Sequence, residues 1–471
     1  GMTMRFWFVL AAALAATLAT GCAGDGSTAA APTPSPTASA SPLPTATATD
    51  TATPTGTSTA SPTRTATASP TRTASPSHTA TPTATSTPTP SATPTPTASA
   101  TATQTETATT TPTTVAPVAV DAQLFTELGD VGLDRYLGRP VPTPTVEGPW
   151  LRYDFATSDD GPICLYGTPF RVYVRPGTTD DVLLYLEGGG GCWNSDNCWV
   201  RTRAKIDAAP LLPLTILRGG VFSSNPQTNP LAGWNVVYVP YCDGSVFTGD
   251  NIADYARGRV WHRGLSNLST GVDVMRAMFP DPRKIVVSGS SAGGFGTFSG
   301  YGVTRLAYPD EEIVVLNDSG PGIQSNDDPQ ALADRRENWR FEQFRPASCP
   351  DCATQPAFIT NWAMRFDPRL RGGFFSALQD GVIRNFLELS GPEYEALLLE
   401  VTDEIVRRNP DRAKRFMVAG DFHTILLGGG LGNDGVAADY RTLAVDGVRL
   451  PQWIEDLVEG RPGWADLVEG R

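Results

Sequence analysis

An α/β fold, with a mainly parallel central sheet covered by helices on both faces, is what this sequence predicts, and three features of residues 118–471 predict it. Short β-branched runs such as VLLYL (182–186), VVYV (236–239) and KIVV (284–287) are apolar on successive residues, which suits strands buried on both sides. These runs alternate with longer mixed segments of helical length, the order of a strand–helix–strand chain. The pattern continues without a break in composition, so one catalytic-sized domain is expected from 118 to the end.

The predicted strands are 171–174, 182–186, 235–240, 284–288, 311–316, 373–378 and 415–419. Helices are expected at 268–278 and 381–389, with a further one following the strand at 284–288. In an open sheet of this kind, chemistry gathers at the carboxyl ends of the strands.

Upstream of 118 the composition changes. Residues 5–18 read RFWFVLAAALAATL, a basic residue and then an apolar run as long as a signal-peptide core and too short for a permanent membrane span. Residues 1–22 are therefore expected to act as an export signal. It ends in Leu18-Ala19-Thr20-Gly21-Cys22, which resembles a lipobox with its leucine one place early, so Cys22 is a candidate lipid anchor. Residues 23–117 are almost wholly Thr, Ala, Pro and Ser. They lack the apolar side chains whose burial would offset the entropy of ordering them, and Thr/Pro composition favours extended backbone, so the segment reads as a disordered tether. An inert spacer is the plainer alternative to any task of its own.

A formal charge of −13 and the absence of a basic run argue against nucleic acid as a partner. Seven cysteines are present. With Cys22 set aside, the close pairs Cys192/Cys198 and Cys349/Cys352 leave Cys164 for Cys242, a disulfide set consistent with an exported domain. Zinc is the competing use of such pairs, but no histidine lies near either in sequence. No metal and no cofactor are expected.

The run from Lys284 to Gly294, KIVVSGSSAGG, is a strand entering G-x-S-x-G. In a nucleophile elbow the serine sits on a strained strand-to-helix turn, and flanking glycines let backbone approach without a clash. Ser291 is the candidate nucleophile of an α/β-hydrolase-like fold; a structural serine in a tight turn is the plainer reading. A serine hydroxyl needs a base, and histidine is the usual one because its pKa lies near neutrality. Of three histidines, His78 falls in the tether and His262 (VWHRG) precedes the serine. His423 follows a late strand, as the chain order serine, acid, histidine requires. Asp380, ending the run GFFSALQD, is the expected acid; Asp318, in VVLNDSG, is its rival, and Asp421 is too close to His423 to be an obvious partner.

Ester hydrolysis passes through an oxyanion that needs fixed donors. Ala292, next after the nucleophile, supplies one backbone N–H. Glu187-Gly188-Gly189-Gly190-Gly191-Cys192, after an apolar strand, offers others from Gly189 and Gly190. A phosphate-binding loop is the weaker reading of this glycine run, since no Gly-Lys-Ser/Thr ending is present. Trp193, Tyr241, Asp243 and Phe295 lie close to these motifs along the chain and serve either the site or the packing.

With LEGGGGCWN, VVYVPYCDGSVFTGD, VVSGSSAGGFGTF, NDSG, LQDGVIRNF and DFHTIL in this order, the chain from about 164 to 427 resembles the pectinacetylesterase family. The resemblance implies an α/β-hydrolase acting on carboxylic esters. Its serine falls on Ser291, its late-strand aspartate on Asp380, its histidine on His423, its oxyanion loop on Gly188 to Gly191, and its cysteines on Cys192, Cys198 and Cys242. At Gly190 some members carry tryptophan, so the acyl pocket's shape, and with it the acyl length, stays open. The expected substrate is an acylated small molecule or polysaccharide, with acetyl foremost. A lipase, thioesterase or polyester hydrolase on the same residues is the alternative, and a non-catalytic surface-binding lipoprotein is a second. A cell-envelope or secreted location is expected, with membrane contact only through Cys22. The repeated DLVEGR at 456–461 and 466–471 has no functional account.

Overall fold

Every residue of β4 (Val182–Leu186) is buried, and its side chains divide between two cores. Val182, Leu184 and Leu186 join one apolar cluster and Leu183 and Tyr185 the other, as alternation across a strand covered on both faces requires. The computed structural model describes residues 119–214, 217–432 and 437–471. The expected export signal, Cys22, His78 and the tether lie outside the described residues.

The strands are β1 (Thr145–Glu147), β2 (Trp150–Phe155), β3 (Phe170–Arg175), β4, β5 (Asn235–Val239), β6 (Asn251–Tyr255), β7 (Gly258–His262), β8 (Lys284–Ser290), β9 (Glu312–Asp318), β10 (Arg371–Ala377) and β11 (Ala413–Val418). The main sheet runs β1-β2-β3-β5-β4-β8-β9-β10-β11 and ends on the short strand Leu467–Val468. From β5 to that edge every pairing is parallel, whereas β1, β2 and β3 meander antiparallel into β5.

Helices are α1 (Ala122–Asp130), α2 (Gly264–Met278), α3 (Ala292–Ala307), α4 (Pro329–Trp339), α5 (Ile359–Phe366), α6 (Ile383–Phe386), α7 (Gly391–Arg408) and α8 (Leu450–Glu459). Buried residues of α1, α2, α3, α5 and α7 pack on one face of the sheet, and those of α8 with Phe222 and Trp234 on the other. All the predicted strands are present. Strands β1 and β2 and the β6–β7 hairpin are additions that no continuous apolar run announces.

One prediction fails in extent: 381–389 is not a full helix. The Asp380 carboxylate accepts the N–H groups of Val382 and Ile383, at 2.9 and 3.0 Å, and starts α6. Glu388, at φ 58°, stops it after one turn. The long helix follows instead as α7, opened by a capping box between Ser390 and Glu393. The disulfides Cys164–Cys242, Cys192–Cys198 and Cys349–Cys352 form as expected.

Candidate active site

Strand β8 is buried over its whole length, and Ser291 comes directly after it at φ 57°, ψ −121°. A non-glycine residue holds such a conformation only where its surroundings impose it. Here a Cβ at Gly293 would collide with the carbonyl of Leu186, and one at Gly289 with the carbonyl of Gly293, so the elbow requires glycine at both places. The N–H of Ser291 donates to the backbone oxygen of Asp318 at 2.8 Å. Helix α3 begins at Ala292, whose N–H has no intrahelical acceptor.

His423 and Asp380 are brought together from loops after β11 and β10. Nδ1 of His423 lies 2.7 Å from Oδ2 of Asp380, which is fully buried. Nε2 of His423 is buried and has no hydrogen-bond partner among the described residues. Burial disfavours the imidazolium, but the charge and hydrogen bond of Asp380, joined by the charge of Asp318, outweigh it and leave the His423 pKa raised above its ordinary value of 6.5.

Asp318, the rival acid, makes different contacts. Its carboxylate accepts the N–H groups of Ile425 and Leu426, at about 3 Å, and the hydroxyl of Ser290 at 2.5 Å. Thr424 N–H meanwhile donates to the hydroxyl of Ser319 at 3.1 Å. The loop after β11 is thus drawn back across β10 to the end of β9, beside β8 and its serine. Asp318 ties the elbow and the histidine loop to one carboxylate, a role its position at a strand end hints at but does not distinguish from that of an acid.

The glycine loop stands opposite. A Cβ on Gly188 would lie 3.0 Å from the Cβ of Ser291, and Gly190 has φ +77° with the carbonyl of Arg203 where a side chain would be. Among the described residues the N–H groups of Gly189 and Gly190 have no acceptor, whereas Gly191 N–H donates to Arg203 and Cys192 N–H to Gly244.

Ser291, Ala292 and Gly190 border a cavity of about 220 Å³ whose walls are chiefly apolar. Ala292, Phe295, Phe298, Ser299 and Gly302 supply one wall; these positions recur with helical period along about 15 Å of α3 at 1.5 Å per residue. Trp193, Trp339, Phe341 and Phe386 face them, and Leu128 and Leu133 close the space from the N-terminal segment. Neither α1 nor 329–345 carries a sequence signal for this task beyond an apolar helical face.

Trp193 and Phe295 therefore border the cavity, while Tyr241 and Asp243 are buried outside it. His262 is buried between the carbonyl of Asp243 and the hydroxyl of Tyr255, each at 3.0 Å, and burial depresses its pKa to about 4. It approaches Cys192 and Cys198 within 4.8 Å, a proximity invisible in sequence, but both sulfurs are joined in a disulfide and do not fit a metal as thiolates.

Residues 154–345 match the pectinacetylesterase family, a span that includes the glycine loop and Ser291 but stops short of Asp380 and His423. Pectin acetylesterase 4 of Arabidopsis thaliana is 29% identical over 36% of this chain and 43% of its own. The palmitoleoyl-protein carboxylesterase NOTUM of Homo sapiens is 28% identical over 33% of this chain and 34% of its own. The chain thus matches less than half the length of these relatives. A crystal structure of the Wnt deacylase Notum from Drosophila superposes with a TM-score of 0.50 over 68% of this chain and 95% of that one, at 16% identity, which shows the shared α/β-hydrolase-like fold. By these matches the chain is similar to the pectinacetylesterase family over residues 154–345.

Proposed function

We propose that this protein is an exported serine carboxylesterase in which Ser291 is the nucleophile, His423 the general base and Asp380 its orienting acid. The observation that carries the reading is the Asp380–His423 contact, with Nε2 of the imidazole unpartnered among the described residues, on a loop that Asp318 also ties to the serine elbow. In the first step Ser291 Oγ attacks the ester carbonyl carbon and passes its proton to His423 Nε2. The N–H groups of Ala292, Gly189 and Gly190 receive the charge on the former carbonyl oxygen. Collapse expels the alcohol, which takes the proton from His423. Water then attacks the acyl-enzyme with His423 again as base, and the acid leaves. Nothing in these steps requires a metal or cofactor.

The cavity beside Ser291 favours an acyl group longer than acetyl. By the measure in which one water-sized group needs about 10–15 Å³, a cavity of about 220 Å³ far exceeds what an acetyl methyl fills, and its apolar walls favour a chain of methylenes at about 0.8 kcal/mol for each one buried. Short-acyl deacetylation of a polysaccharide is the second reading, favoured by the likeness to a pectin acetylesterase. Export is supported by the signal-like run 5–18 and by the three disulfides, and attachment through Cys22 is part of the proposal. The test is hydrolysis of p-nitrophenyl acetate, butyrate, octanoate and palmitate. An optimum at butyrate or above is expected; an acetate optimum supports the second reading, and no hydrolysis of any ester supports a binding protein.

A further inference from the structure

An ion pair behind the glycine loop, buried at Glu187 and half-buried at Lys205, has no part in the steps above. Glu187, 1% exposed, precedes the four glycines, and its Oε2 lies 3.0 Å from Nζ of Lys205. Its remaining acceptor positions take the hydroxyl of Tyr238 at 2.6 Å, the N–H of Tyr241 at 2.9 Å and the N–H of Leu211. Lys205 Nζ also donates to the carbonyl of Tyr241 at 2.8 Å. The backbone of the same lysine meets the glycine loop: Lys205 N–H donates to the carbonyl of Gly189 at 2.7 Å, and Gly190 forms an antiparallel bridge with Ala204.

The geometry of a trans peptide makes this contact directional. The carbonyl of Gly189 and the N–H of Gly190 belong to one plane and point opposite ways. Holding the carbonyl toward Lys205 turns the Gly190 N–H away from it, on a residue that borders the cavity beside Ser291. That N–H has no acceptor among the described residues.

We infer that Lys205, locked by Glu187, is a positioning residue: it fixes the Gly189–Gly190 peptide so that the Gly190 N–H is aimed in advance at the ester's developing oxyanion. The inference rests on the serine-esterase reading. A buried ion pair adds little net stability once desolvation is counted, whereas leaving one partner unpaired is costly. The pair's effect therefore falls on rate when both charges are removed together.

The experiment compares wild type, the double variant Glu187→Gln/Lys205→Met, Lys205→Arg and Ser291→Ala on p-nitrophenyl butyrate, with thermal melts of each. The double variant is expected to lose about 10- to 100-fold in kcat with KM changed less than about threefold, because losing an oxyanion donor outright costs about 10²–10³. Its affinity for an alkyl boronic acid, whose tetrahedral serine adduct places an oxygen at the oxyanion position, should fall by a similar factor, and Lys205→Arg should recover most of kcat. Unchanged kcat in a folded double variant, with Ser291→Ala inactive, overturns the inference and leaves the esterase reading standing. Activity persisting in Ser291→Ala overturns that reading whatever Lys205 does. Should the double variant not fold, wild-type protein labelled with ¹⁵N-glycine decides the matter: a downfield shift of the Gly190 amide proton on forming the boronic adduct is expected, and its absence overturns the inference.

Discussion

Nδ1 of His423 stands 2.7 Å from Oδ2 of Asp380 across the ends of two neighbouring parallel strands, β11 and β10. The carboxylate is buried and also accepts two backbone N–H groups through its other oxygen, so its direction is set before the imidazole is considered. In the proposed mechanism this contact keeps the proton on Nδ1 and leaves Nε2 to act as base.

Replacing Asp380 by Asn keeps the shape and removes the charge. Since that charge counters the desolvation of the imidazolium, kcat should drop by about 10⁴ and the His423 pKa should fall. Wild-type kcat/KM should therefore rise with pH through an apparent pKa above 6.5, and the acid limb of Asp380→Asn should move to lower pH. A pH–rate profile of both proteins checks the shift; a limb at the same pH in both would refute it.

Asp318→Asn tests the strap rather than the acid. An amide has one acceptor oxygen where the carboxylate offers two to Ile425, Leu426 and Ser290. The histidine loop should loosen, with kcat reduced about 10- to 100-fold, the scale of a misplaced catalytic group, and KM little changed. A loss as large as that of Asp380→Asn would instead favour Asp318 as the acid.

His262 is expected to be structural. Its pKa of about 4 in the fold lies below the ordinary 6.5, so the unfolded chain binds the extra proton as pH falls. Stability contributed by the neutral ring is present above pH 6.5 and is lost as pH falls toward 4. His262→Asn should lower Tm and flatten that pH dependence while leaving the acid limb of the rate profile in place; a displaced limb would make His262 part of the chemistry.

Ser299→Phe places a ring in the far part of the cavity along α3. The acyl-length optimum should move to shorter chains, with p-nitrophenyl acetate hydrolysed about as well as by wild type. An unchanged profile across the ester series would show that the acyl chain does not occupy this space.

Much of this arrangement was legible in the sequence because burial on both faces leaves unbroken apolar runs, as in β4 and β8, and because the elbow needs glycine at 289 and 293 for steric reasons. What escaped notice depends on distant neighbours. Helix α7 has its own start signal, Ser390 to Glu393, yet the preceding turn at 383–386 has helical composition and no helical length. The two DLVEGR copies take different structures: the first ends α8 and turns at Gly460, in left-handed backbone, while the second supplies the edge strand Leu467–Val468 beside β11, with Asp466 paired to Arg415. Identical letters followed different partners. The cavity was equally hidden, since α1, α3, α4 and the loop after α4 meet there only in the folded chain.

The most direct test of the central claim is the site at which an alkyl fluorophosphonate labels the protein, since phosphorus there is attacked by an activated serine with loss of fluoride. The account predicts one adduct per chain, on the peptide containing Ser291, absent in Ser291→Ala and formed far more slowly in His423→Ala. An adduct on another residue, or labelling that survives Ser291→Ala at the wild-type rate, would contradict it.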